Sequence, residues 1–144
     1  MGKKSEKGRP QLGKQAPRYR YFLNPYRDAR FSSCPQCGNK TGQKKLPLFI
    51  HIDPQQSLLL NKTCRYCSHC DLLIVHQNDL EEIMARAFAV HPEIAGDTYL
   101  VLGTLDRADW KRIDQQDLPL QNSIEALHDF KEAVTFKFVG GWGR

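Results

Sequence analysis

Four cysteines sit in two tight turns, Cys34-Pro35-Gln36-Cys37-Gly38 and Cys67-Ser68-His69-Cys70-Asp71. Thiolates are the ligands zinc favours, and a C-x-x-C turn aims two sulfurs at one point. Two such turns make a tetrahedron when a hairpin brings them together. Twenty-nine residues separate the pairs, a natural length for two strands and a turn. The expected ligands of one structural zinc ion per chain are therefore Cys34, Cys37, Cys67 and Cys70. The fifth cysteine leaves an alternative open, because Cys64-Arg65-Tyr66-Cys67 overlaps the second turn with the same spacing. The strand-like Leu58 to Tyr66 leads into Cys67 and Asp71 to His76 leads out, which favours Cys67 and Cys70 and keeps Cys64 as the alternative ligand. His69 and His76 carry imidazoles that can also bind zinc, but read more simply as exposed polar side chains.

At these residues the chain resembles the zinc-ribbon superfamily, whose members carry CPxCG-type knuckles on a small antiparallel sheet. The resemblance covers about residues 31–77. It implies a structural four-thiolate zinc and a frequent, though not obligatory, link to nucleic-acid or translation machinery. One departure is Asp71, where the second knuckle usually has glycine. Asp tolerates a left-handed backbone better than most residues.

The elements that must carry these turns follow from the pattern on either side. Leu46 to Ile52 reads as a first strand, with Pro47 at its start because proline cannot donate to a ladder. Asp53 to Ser57 is a turn, Leu58 opens the returning strand, and Leu72 to His76 makes the third. Asn78 is the expected N-cap of a helix, with Glu81 three residues on in capping-box position. Leu80, Ile83, Met84, Ala87 and Phe88 fall on one face of that helix, and His91-Pro92 ends it. Thr98 to Leu102 is a short strand closed by Gly103. Asp106 to Arg112 makes helical turns, Ser123 caps a last helix over 124–132, and Val134 to Val139 alternates as a strand.

The formal net charge of +5 conceals a division. Residues 1–45 carry twelve Lys or Arg against Glu6 and Asp28, a balance of +10, and residues 46–144 carry a balance of −5. A basic segment attracts polyanions and an acidic body does not. Residues 1–17 hold almost nothing apolar and are expected to be disordered alone. From 18 to 31 arginines alternate with aromatics. Cations that neutralise phosphate and rings that stack on unpaired bases are the ingredients of single-stranded RNA binding. The candidate contacts are Arg18, Tyr19, Arg20, Tyr21, Tyr26, Arg27 and Arg30, extended by Lys40, Lys44 and Lys45 beyond the first knuckle.

These readings give an α+β chain in three parts: a basic, partly disordered arm (1–30), an antiparallel zinc ribbon (31–77) and a small acidic α+β region (78–144) that shares the ribbon's core. The expected function is non-catalytic contact with RNA or a ribonucleoprotein through the arm. A protein-interaction module is the alternative, with the acidic half, Trp110 and Trp142 as its docking face. Catalysis finds no support: four cysteines close a zinc site, and His51, His69, His76, His91 and His128 lack metalloprotease spacing. No phosphate-binding, nucleophile-elbow or dinucleotide motif is present. Paired thiols without an apolar leader or a membrane-length apolar run lead to a bacterial, cytoplasmic expectation, with no membrane contact.

Overall fold

The computed structural model describes residues 11–53, 56–92, 95–96, 98–115 and 121–137. The fold is mixed α+β. Its strands are β1 (Arg20–Asn24), β2 (Gly42–Ile52), β3 (Gln56–Cys67), β4 (Leu72–His76), β5 (Tyr99–Thr104), β6 (His128–Asp129) and β7 (Glu132–Ala133). The helices are α1 (Gln77–Val90), α2 (Arg107–Gln115) and α3 (Gln121–Ala126). All seven strands form one sheet in the order β6-β5-β2-β3-β4-β1-β7. The expected hairpin is present as β2 against β3, antiparallel from Gly42↔Tyr66 to Ile52↔Gln56, and β4 returns beside β3 through Cys67↔Leu72.

The two edges of the sheet, β6 and β7, are neighbours in sequence. The segment 128–133 pairs with β5 through Gly103↔Asp129 and with β1 through Arg20↔Glu132. Between these pairs, the Phe130 and Lys131 N–H groups donate to the Leu102 and Tyr19 carbonyls. One short stretch thus joins the two ends of a curled sheet. A register shift at Phe49/Ile50, where Phe49 faces Gly103 and Ile50 faces Val101, leaves Leu102 as an extra residue in β5 and bends that strand, as bulges do.

Inside the curl, Leu46, Leu48, Ile50 and Ile52 of β2 alternate inward with Tyr21, Leu73, Val75, Val101 and Phe130, and Leu80 and Met84 of α1 join them. Phe49 points the other way, into a second cluster with Leu105, Ile113, Ala126 and Leu127 under α2 and α3. A third cluster, Phe22, Ala29, Phe31, Leu72 and Ile74, packs against Cys34 and Cys67. Each fully buried Phe or Leu in these clusters contributes about 1.5–3 kcal/mol.

Several expectations are corrected here. The stretch 18–31 is not a separate arm: β1 is parallel to β4, from Arg20↔Leu72 to Asn24↔His76, and Tyr19, Tyr21, Phe22, Ala29 and Phe31 are buried. Residues 11–17 are held by backbone rather than by apolar side chains. The Lys14 and Gln15 N–H groups donate to the Ile124 and Leu127 carbonyls, and the Asp129 carboxylate accepts from the Leu12 and Gly13 N–H groups at 3.0 and 2.6 Å. The cap of α1 is His76, whose Nδ1 accepts from the Asp79 N–H at 3.2 Å, two residues earlier than Asn78. The last helix ends at Ala126 because 128–133 is needed to close the sheet, and no regular strand runs through 134–137. Gly103 lies within β5 instead of ending it, where a Cβ would stand 2.2 Å from the His128 carbonyl oxygen. Residues 1–10, 138, 139 and Trp142 lie outside the described residues.

Candidate metal centre

The first knuckle is a small loop closed on itself. The Cys34 N–H donates to the Asn39 carbonyl at 2.7 Å, and the Gly38 N–H to the Cys34 carbonyl at 2.9 Å. The second knuckle is the reversal between β3 and β4. Each places a left-handed residue just after its second cysteine, Gly38 at φ 81° and Asp71 at φ 53°. Asp71 tolerates this with its side chain engaged: it accepts from the Tyr66 hydroxyl at 2.7 Å and from Lys131 Nζ at 2.8 Å. Its carbonyl accepts from the Arg20 N–H at 2.8 Å, and Arg20 Nη1 donates to Gln36 Oε1 at 2.8 Å. Strand β1 therefore braces both knuckles.

The four sulfurs of Cys34, Cys37, Cys67 and Cys70 all lie within 4.8 Å of one another. Cys34 to Cys70 measures 4.0 Å and Cys37 to Cys67 measures 3.6 Å. Four sulfurs held at about 2.3 Å from one zinc ion would be spaced by about 3.8 Å. The donor set and its spacing thus fit a tetrahedral, four-thiolate metal. Backbone N–H groups already point at two sulfurs, Gln36 to Cys34 at 3.3 Å and Asn39 to Cys37 at 3.5 Å. The Asn39 contact lowers the Cys37 thiol to about 7. Burial raises Cys34, and raises Cys70 to about 12 with the neighbouring thiols adding to it. Four thiols so close cannot all ionise unaided, and a divalent cation held by Cys34, Cys37, Cys67 and Cys70 would supply the charge that lets the remaining protons leave.

Cys64 is outside this cluster. It is buried in the interior of the curl, its thiol donates to the Lys62 carbonyl at 3.6 Å, and burial pushes it up to about 12. Neither histidine near the knuckles joins the cluster. His69 is exposed. Both nitrogens of His76 are engaged: Nε2 donates to the Arg27 carbonyl at 2.9 Å while Nδ1 caps α1.

The candidate nucleic-acid residues do not form one surface. Tyr19 is 6 % exposed and Tyr21 7 %. Tyr21 stacks on Phe130 with centroids 4.5 Å apart, and Tyr19 meets Tyr66 edge-on at 5.5 Å. Tyr26 is half-buried and donates to the Phe136 carbonyl at 2.9 Å. Burial leaves the Tyr19 and Tyr21 faces no room for a base. The arginines are mostly paired: Arg18 with Asp106 at 2.7 Å, Arg20 with Glu132 at 2.8 Å and Arg30 with Asp79 at 2.5 Å. Arg27 is exposed and reaches Asn78 at 3.5 Å. Lys40 and Lys45 are exposed, and Lys44 Nζ lies over the Tyr19 and Tyr66 rings at 5.9 and 5.3 Å. Arg18, Lys44 and Lys131 line a shallow cleft of about 220 Å³ beside the second knuckle, with Asp71 its one carboxylate.

Comparison of the chain with protein-family models, curated proteins and solved structures finds no match. The likeness to zinc ribbons therefore rests on the knuckles and the β2–β3–β4 meander. Among the described residues no helix is long and apolar enough to cross a membrane.

Proposed function

We propose that this is a non-catalytic, zinc-stabilised protein that contacts RNA through phosphate rather than through base stacking. Four thiolates would leave zinc no open position for water, so the ion would be a fastener for β1, β3 and the first knuckle. The observation that carries the nucleic-acid reading is the charge division, +10 over residues 1–45 against −5 over the remainder. Lys40 and Lys45 are without a carboxylate partner among the described residues, and the cleft of Arg18, Lys44 and Lys131 adjoins them through Lys44. Sequence-independent affinity needs only such cations and the counterions they release.

The test is RNA binding by the zinc-loaded chain across a salt series, with Lys40, Lys44 and Lys45 replaced together by Gln, and separately with residues 1–10 removed. A steep inverse dependence on salt that flattens in either variant supports the reading. Equal, weak binding by all three proteins overturns it and favours a protein-docking module.

A further inference from the structure

A second cluster of cations lies apart from the metal centre, around a cavity of about 370 Å³ between the 24–30 loop, β3 and the first turn of α1. Its lining includes Arg30, Lys62, Arg65 and His76, with Asp79 as the one carboxylate. We propose that this cavity is a binding site for the phosphate group of a small phosphomonoester. The proposal is independent of the RNA reading, because it rests on different residues and a deeper cavity.

Lys62 carries the argument. It sits in β3 with 8 % of its surface exposed, and its ammonium donates to the neutral Thr63 carbonyl at 2.8 Å. An ammonium has three protons to donate, and a buried charge is costly unless an opposite charge meets it. None of the ion pairs among the described residues involves Lys62. The carboxylate of Asp79 is already taken by Arg30 at 2.5 Å and lies 3.4 Å from His76 Nδ1.

Arg65 is held in the same way by neutral acceptors. Its Nε donates to Thr41 Oγ1 at 3.0 Å and its Nη2 to the Thr41 carbonyl at 2.7 Å. Its plane is thereby fixed without its charge being met. Three cations face one shared carboxylate, so the lining is net positive with His76 neutral. The first turn of the 14-residue α1 adds the positive end of its dipole from the same side. The volume lies within the range of small-molecule sites. A phosphate dianion in the cavity would have Lys62, Arg30 and Arg65 in its lining.

The experiment is thermal melting and isothermal titration of the full, zinc-loaded chain. The probes are inorganic phosphate, glycerol 3-phosphate, and one short oligoribonucleotide with and without a 5′-phosphate, against sodium chloride at matched ionic strength. Saturable stabilisation by phosphate-bearing probes beyond chloride is expected, with Lys62→Met weakening it at least tenfold. Without ligand, Lys62→Met should melt close to the parent, since Lys62 makes no ion pair among the described residues and its charge acts on the Asp79 carboxylate only at longer range. Arg30→Gln, at an exposed position, should also weaken the response. Preference for glycerol 3-phosphate over the 5′-phosphorylated oligonucleotide identifies a free phosphomonoester; the reverse preference overturns that assignment of source. Equal effects of phosphate and chloride, or an undiminished response in both variants, overturns the site. The salt dependence of RNA binding through Lys40, Lys44 and Lys45 reads out separately and stands or falls alone.

Discussion

Cys37 carries the exposed sulfur of the knuckle cluster, which makes it the cleanest point at which to break the metal centre without opening a cavity. Cys37→Ser should leave metal content near zero after dialysis and broaden or abolish the melting transition, because binding free energy at such a site is folding free energy. Cys64→Ser should retain about one ion per chain; loss of metal there, with retention in Cys70→Ser, would reverse the ligand assignment. Tyr21 offers the opposite kind of test. Its hydroxyl is buried without a hydrogen-bond partner among the described residues, and burial pushes its ionisation far above the ordinary range. Removing an unsatisfied polar atom costs nothing in bonding, so Tyr21→Phe should hold or raise the melting temperature, a gain of up to about 1–3 kcal/mol. A marked fall would show that the hydroxyl has a partner. Asp79 sets a pH dependence. Burial alone would raise its carboxyl, but Arg30, together with nearby His76 and Lys62, outweighs this and holds it below the usual range. A folded pKa below the unfolded one adds stability above the unfolded value and loses it as pH falls through the folded value. Asp79→Asn should therefore lower the melting temperature near neutrality and flatten the acid side of its pH profile; an unchanged acid side would remove Asp79 from that account.

At the scale of elements, the closing segment 128–133 is what turns an open sheet into a curled one. Its contact with β5 is intimate at Gly103, where a methyl group would meet the His128 carbonyl at 2.2 Å and Asp129 Cα at 2.9 Å. Both neighbours are backbone and cannot rotate away, so Gly103→Ala must push β5 and β6 apart. We expect a loss of about 1–3 kcal/mol, read as a lower melting temperature with fast amide exchange at Phe130 and Lys131. An unchanged melting curve would mean the closure is loose. The helices are subordinate by comparison. α1 seals the interior with Leu80 and Met84, and α2 contributes Ile113 to the cluster around Phe49.

For the whole molecule, strand order decides what can be removed. β1 lies between β4 and β7, so deleting residues 1–30 takes a strand from within the sheet together with Tyr19, Tyr21 and Phe22. That deletion should abolish cooperative unfolding, whereas deleting residues 1–10 should leave the melting temperature within a few degrees. Comparable melting of the two shortened proteins would return residues 18–31 to the status of an appendage.

The knuckles, the β2–β3–β4 meander and α1 were legible in the sequence, because each is set by neighbours close in the chain. Cysteine spacing, a proline at a strand start, a 3.6-residue apolar period and a residue able to take positive φ at 71 are local signals. The choice of Cys67 and Cys70 over Cys64 followed from which of two overlapping turns sits at a strand reversal, and the tertiary structure gives the same answer. Residues 18–31 were legible in composition and misleading in role. Arginine alternating with aromatic residues describes a nucleic-acid arm and a half-buried strand equally well, and only the pairing of β1 with β4 and β7 turns the rings inward and the guanidinium groups toward Asp106, Glu132 and Asp79. The cavity around Lys62 has no signature in the sequence, since Arg30, Lys62, Arg65 and His76 come from a loop, from β3 and from the end of β4. What the sequence by itself determined is the four-thiol cluster, with its fitness for a metal, and the local elements around it. Which charges end paired, which rings end buried and where the cavity's cations end depend on contacts between residues dozens to more than 100 positions apart, such as Arg30 with Asp79 and Arg20 with Glu132, and only the assembled sheet decides those.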